Sequence, residues 1–123
     1  MHKLVNIDGV EPLDLEDVDP SLLPIGPELE PDRMRPSVWE YERGAENTFH
    51  RQAEQEELYV VLEGTLEVTI ERDDERDVVE LTVNDVLVVP PGAWRQLKAI
   101  EDSRVLVVGA PNVADDAITE TEE

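Results

Sequence analysis

The chain has 123 residues, with 31 acidic side chains against 10 basic ones, a formal charge of −21 and no cysteine. That length suits one domain with a core of its own, and the missing thiols exclude disulfide staples, thiol redox chemistry and cysteine-ligated zinc. The negative field excludes nucleic acid and anionic membrane surfaces as partners. No apolar run is long enough to span a bilayer, and the first twenty residues hold no signal-peptide core, so a cytoplasmic location is expected. Hydrophobic residues make up 40% and fall in strand-like runs, which argues for a folded rather than a disordered acidic chain. A carboxylate-rich surface with only Lys3 and Lys98 as lysines fits a halophilic protein, because concentrated salt screens the self-repulsion.

In chain order, residues 1–36 hold six of the nine prolines and read as an extended arm with at most one helical turn, around Asp19–Leu23. Ser37–Arg43 sets Trp39 and Tyr41 on one face and Glu40 and Glu42 on the other, the pattern of a half-buried strand. Gly44–Asn47 is a turn. Glu56–Leu62 is apolar on both faces, Tyr59 and Val61 against Leu58, Val60 and Leu62, so it needs cover on both sides. One cover is a barrel interior, the other the arm or a second subunit. Glu63-Gly64 reads as a hairpin turn, Thr65–Glu71 as a strand with Leu66, Val68 and Ile70 inward, and 72–77 as a solvated hairpin loop. Val78–Val83, Asp85–Val89, Arg95–Ile100 and Arg104–Val108 supply four more short strands, the spacing of an all-β sandwich or barrel. Residues 111–123 read as a frayed tail or a short acidic helix. The organisation is therefore an arm over 1–36, a barrel over 37–110 and an acidic tail over 111–123.

Two motifs carry the chemistry. In the first, Gly44, His50, Glu57 and Gly64 are spaced as Gly-x5-His-x-Gln-x4-Glu-x6-Gly, with Gln52 between His50 and Glu57. Residues two apart on a strand share a face, so His50 and Gln52 can enter one cavity and Glu57 can join them across the turn. The second runs Asn84-Asp85-Val86-Leu87-Val88-Val89-Pro90-Pro91-Gly92-Ala93-Trp94-Arg95. Both resemble the paired motifs of the cupin family, and together with the flanking strands the resemblance spans most of the domain. It implies a jelly-roll, double-stranded β-helix barrel, often dimeric. It also implies a site in which two histidines, a glutamate and a third histidine hold Fe, Mn, Ni, Zn or a similar ion. Gln52 stands at the second histidine and Arg95 at the third, while Asn84 replaces a glycine, a tolerable exchange because asparagine reaches positive φ readily.

Arginine stays protonated and has no lone pair to give a metal, so Arg95 facing inward would pair with Glu57 and stand in for the cation. The competing arrangement keeps a divalent metal on His50, Gln52 and Glu57. Tyr59 and Trp94 are further candidates for the pocket, although Tyr59 also suits the core and Trp94 also suits packing under the Pro90-Pro91-Gly92 turn. His50 alone could be a satisfied polar residue at a barrel rim. Asp14–Asp19 and Asp115-Asp116 read as solvated acidic surface rather than cation sites. No serine elbow, phosphate-cradling glycine loop, His-Glu-x-x-His helix or basic stacking surface occurs.

The expected function is binding of a small molecule, one possibility being an anionic one, in a barrel with a degraded metal site lined by His50, Gln52, Glu57 and Arg95. The alternative is a metal-dependent oxygenase, decarboxylase or sugar isomerase using His50, Gln52 and Glu57. The expected protein partner is a second copy of the chain.

Overall fold

The computed structural model describes residues 2–120, and two antiparallel sheets dominate them. The larger sheet runs in the order β1 (Leu13–Asp14), β2 (Ser21–Leu23), β3 (Arg35–Tyr41), β10 (Ser103–Ala110), β5 (Glu56–Glu63), β8 (Val86–Val89). The smaller runs β11 (Ala117–Thr119), β4 (His50–Gln52), β9 (Trp94–Ala99), β6 (Thr65–Arg72), β7 (Glu75–Thr82). From β3 onward the chain changes sheet at every link except the β6–β7 hairpin, which is the jelly roll expected from the sequence. Inward residues of both sheets, among them Val61, Leu66, Val68, Leu97 and Val105, are at most 1% exposed and form the core between the sheets.

Several local expectations are corrected by this arrangement. Gly64 is a corner between sheets, not a hairpin turn, since β5 and β6 lie in different sheets. Its φ is +80°, and a Cβ there would strike the Asp102 carbonyl and the Ser103 hydroxyl, so glycine is required twice over. The solvated loop at 72–77 shrinks to Asp73-Asp74, both at positive φ, and β6 pairs with β7 as far as Arg72↔Glu75. Asn84 does reach positive φ, at +74°.

In the arm, the helical turn falls at Ile25–Leu29 (α1) rather than at Asp19–Leu23. The displaced residues form β2 and pair with β3. Leu23 precedes Pro24, and the pre-proline residue is pushed out of the α region and into extended backbone. Side chains of this arm, Leu23 and Ile25 foremost, bury Val38 completely and pack on Leu62 and Leu106. Strand β3 is therefore covered on both faces, not half-buried as its alternation implied. The outer side of β5 finds part of its second cover in the same cluster.

The tail also differs. Ala117–Thr119 is neither frayed nor helical but pairs with β4, and Asp116 is only 8% exposed. Its carboxylate accepts the Gln55 N–H at 2.8 Å and the Glu54 N–H at 3.0 Å, tying the tail to the turn between β4 and β5. Asp116 is thus a buried anchor instead of solvated surface. Residues 121–123 of the expected tail lie outside the described residues.

Candidate functional site

Alternation along four strands aims a polar group inward at one end of the barrel. β4 contributes His50 and Gln52, β5 contributes Glu57 and Tyr59, β3 contributes Tyr41, and β9 contributes Arg95 directly across from His50. Between the sheets lies a cavity of about 630 Å³. His50, Gln52, Glu57, Tyr59 and Tyr41 line its inner end, and all but His50 are buried. Toward solvent its walls come from Trp39 and from the arm, including Pro20, Leu22, Pro27 and Met34.

Glu57 is the centre of the polar end. Its Oε1 accepts the Tyr59 hydroxyl at 2.6 Å and lies 3.9 Å from Nη2 of Arg95. Arg95 is 0% exposed and does not line the cavity, so the guanidinium sits behind the Glu57 carboxylate and not beside a bound molecule. The same Nη2 donates long bonds to the carbonyls of Val89 at 3.5 Å and Pro90 at 3.4 Å. Nε and Nη1 have no acceptor among the described residues. The sequence grouping of Arg95 with the cavity wall is corrected to this extent. Arg95 does face Glu57, as an ion pair at 3.9 Å without a hydrogen bond between them.

Trp94 is not in the cavity at all. Inward positions on β9 are Arg95, Leu97 and Ala99, which leaves Trp94 on the outer surface, stacked on Phe49 at 5.3 Å with the Arg51 guanidinium 5.5 Å from its ring. Tyr59 does line the cavity, as does Tyr41, which the sequence placed in a strand without a role. Its signal was the inward alternation with Trp39. The arm residues gave no such signal, because prolines and scattered apolar residues have no period to read.

His50 is fixed in one tautomer. Its Nδ1 lies 2.7 Å from the Thr48 carbonyl, which can only accept, so Nδ1 carries the hydrogen and Nε2 of the neutral ring keeps its lone pair. Burial pushes the imidazole pKa below the usual histidine range, with the Arg95 charge adding to the effect against the opposing Thr48 bond and Glu57. Burial first, and then the Glu57 charge, push both Tyr59 and Tyr41 above the usual phenol range, so both remain proton donors. Side-chain bonds for the Gln52 amide, the Tyr41 hydroxyl and Glu57 Oε2 are absent among the described residues. The arrangement offers acceptors at His50 Nε2 and Glu57 Oε2 beside donors at Gln52 and Tyr41. It can bind a hydroxylated group and move a proton to or from it.

Among the described residues no three His, Cys, Asp or Glu side chains are placed to hold a metal ion, and the Glu57 carboxylate already faces a permanent cation and a phenol.

The cupin domain profile matches residues 37–109, well over half of the chain. No curated protein matches by sequence. Among solved structures, KdgF from Halomonas sp. superposes with a TM-score of 0.74 at 22% identity, covering 88% of this chain and 94% of that one. The oxalate decarboxylase of Bacillus subtilis superposes at 0.77 and 17% identity over 98% of this chain, which spans 32% of that protein's length. The cupin domain of Schizosaccharomyces pombe Cnp3 superposes at 0.71 and 19% identity, over 87% and 72% of the respective chains. At these identities the likeness is one of fold.

Proposed function

The chain belongs to the cupin family, and from that premise we propose that it binds a small molecule in the barrel without a metal, Arg95 serving as a built-in cation for Glu57. The observation that carries this reading is the fully buried guanidinium 3.9 Å from the Glu57 carboxylate. A divalent ion on His50, Gln52 and Glu57 would sit against that fixed charge in a site screened little by solvent. The oxalate decarboxylase neighbour has Mn(II) centres; here the equivalent neutralisation of a carboxylate comes from the chain itself. The test is elemental analysis after expression with Fe, Mn, Ni and Zn supplied, followed by desalting. Metal well below stoichiometric is expected, and near-stoichiometric metal overturns the reading. Arg95→His is expected to raise metal affinity sharply.

The protein partner in this proposal is a second copy. On the outer face of the larger sheet, Leu58 lies opposite Val88 and Val60 opposite Val86, with Val108 and Leu106 beside them on β10. Val86 is 60% and Val88 52% exposed, on an edge strand. This aliphatic patch carries no charge in a chain of −21, so two copies meet there without carboxylate repulsion. Light scattering at high salt is expected to give a dimer mass that Val88→Glu reduces to monomer; a monomeric wild type overturns it.

A further inference from the structure

We infer that the cavity selects an uncharged molecule with a hydrogen-bond-donating head, a hydroxyl in particular, on a flat apolar body, and rejects small carboxylic acids. The inference rests on the metal-free reading above and goes further by naming the class of ligand.

The head group follows from what the inner end presents. Glu57 and His50 both line the cavity, and with Oε1 taken by Tyr59 and Nδ1 by Thr48 the atoms left for a ligand are Glu57 Oε2 and His50 Nε2, acceptors that are satisfied by an O–H or N–H and not by another anion. A ligand carboxylate would meet Glu57 first. Arg95, the one buried cation among the described residues, lies behind that glutamate with no exposed surface, so it neutralises the floor without being reachable. A cationic amine gains little, since the Glu57–Arg95 pair has no net charge to attract it. The Gln52 amide and the Tyr41 hydroxyl supply the donors that a hydroxyl oxygen accepts from. At the outer end Arg35 and Glu30 both line the cavity, Arg35 donating to Asn112 Oδ1 at 3.4 Å and Glu30 pairing with Lys3 at 3.2 Å, so the entrance carries charges of both signs rather than a cationic anion trap.

The body follows from the walls. Trp39 lies opposite Leu22 on the inner side of β3 and β2, and its indole N–H is bound to Ser37 Oγ at 3.0 Å, which leaves its ring faces as apolar surface. Pro20, Pro27 and Met34 continue that surface toward solvent. A volume of about 630 Å³ is ample for a fused-ring body.

The test is calorimetric titration of the full chain at pH 7.5 with three probes of one skeleton: 2-naphthalenemethanol, 2-naphthylmethylamine and 2-naphthoate. The alcohol is expected to bind at least about tenfold more tightly than the acid, because like-charge contact with Glu57 in a desolvated site costs more than about 1.4 kcal/mol, and more tightly than the amine, which gives up its hydration against a floor of no net charge. Tightest binding of the acid or the amine, or binding of none of the three, overturns the inference. Glu57→Gln leaves Arg95 unpaired and is open to folding defects, so the double variant Glu57→Gln/Arg95→Met is measured beside it. In that double variant the discrimination against 2-naphthoate is expected to fall to about threefold or less; undiminished discrimination also counts against the inference. Metal content is read on the same samples. Acid preference in metal-free protein overturns this inference alone, whereas acid preference with stoichiometric metal overturns the metal-free reading as well.

Discussion

The two ends of the cavity are built in different ways. The inner end is drawn chiefly from β4, β5 and β9, where hydrogen-bond register fixes each side chain and gathers the polar groups around Glu57. The outer end is made by the arm, which has only the two-residue strand β1, the three-residue strand β2 and the five-residue helix α1. It is held instead by burial of Leu23 and Ile25 on the opposite face of β3. One strand therefore joins the two: Trp39 and Tyr41 face the cavity, while Val38 between them anchors the arm. Electrostatics set the inner end and apolar packing sets the outer one, so the two should fail differently.

The largest effect is expected at Arg95. Arg95→Ala removes the one cation facing a buried carboxylate, at a cost of about 3–5 kcal/mol in denaturant unfolding. Glu57→Gln/Arg95→Met should recover most of that loss, because a neutral pair of similar size leaves no charge stranded. A double variant as unstable as Arg95→Ala would break the view that charge, rather than packing, governs this end.

Leu23→Ala is the matching change at the outer end. Leu23 is 2% exposed against Val38, and truncation should cost about 3 kcal/mol through the cavity it leaves. Probe binding should weaken along with stability, since β2 and α1 carry the cavity wall. Loss of binding with unchanged global stability would mean that the arm undocks as a unit of its own.

Legibility in the sequence follows the same division. Period-two alternation and the two motifs locate His50, Gln52, Glu57 and the Glu57–Arg95 pair, because strand register converts spacing directly into position. Trp94 shows the limit of that logic: it neighbours Arg95 in the chain and so must face the other way. The arm reads as extended, with at most one helical turn, because prolines mask both periods, and its strand emerges only from pairing with β3, a contact no local pattern announces. Asp116 escapes the sequence for a related reason. An acidic run looks solvated unless one knows that two backbone N–H groups from 61 and 62 residues away converge on it.

A smaller effect is expected from Tyr59→Phe, which removes the 2.6 Å bond to Glu57 while keeping the ring. Loss of a hydrogen bond to a charged group should cost about 2 kcal/mol, less than the Arg95→Ala effect. A larger loss than at Arg95 would make the phenol, not the guanidinium, the principal partner of Glu57.

The smallest effect lies in the pH dependence of His50. Its folded pKa is lowered, so the unfolded chain takes up a proton at about pH 6.5 that the folded chain declines. More protons bound in the unfolded state means that stability rises with pH, and it is lost as pH falls from about 6.5 toward the folded pKa. Below that value both states are protonated and the loss levels off. His50→Gln serves as the reference in which the imidazole is absent and the rest of the chain is kept. The difference between the two unfolding curves, measured between pH 5.5 and 7.5, should therefore isolate the imidazole, with the wild type declining more steeply. Parallel curves would show that His50 is as free to protonate in the barrel as in the open chain. That would remove the fixed lone pair at Nε2 on which the hydroxyl-binding geometry depends.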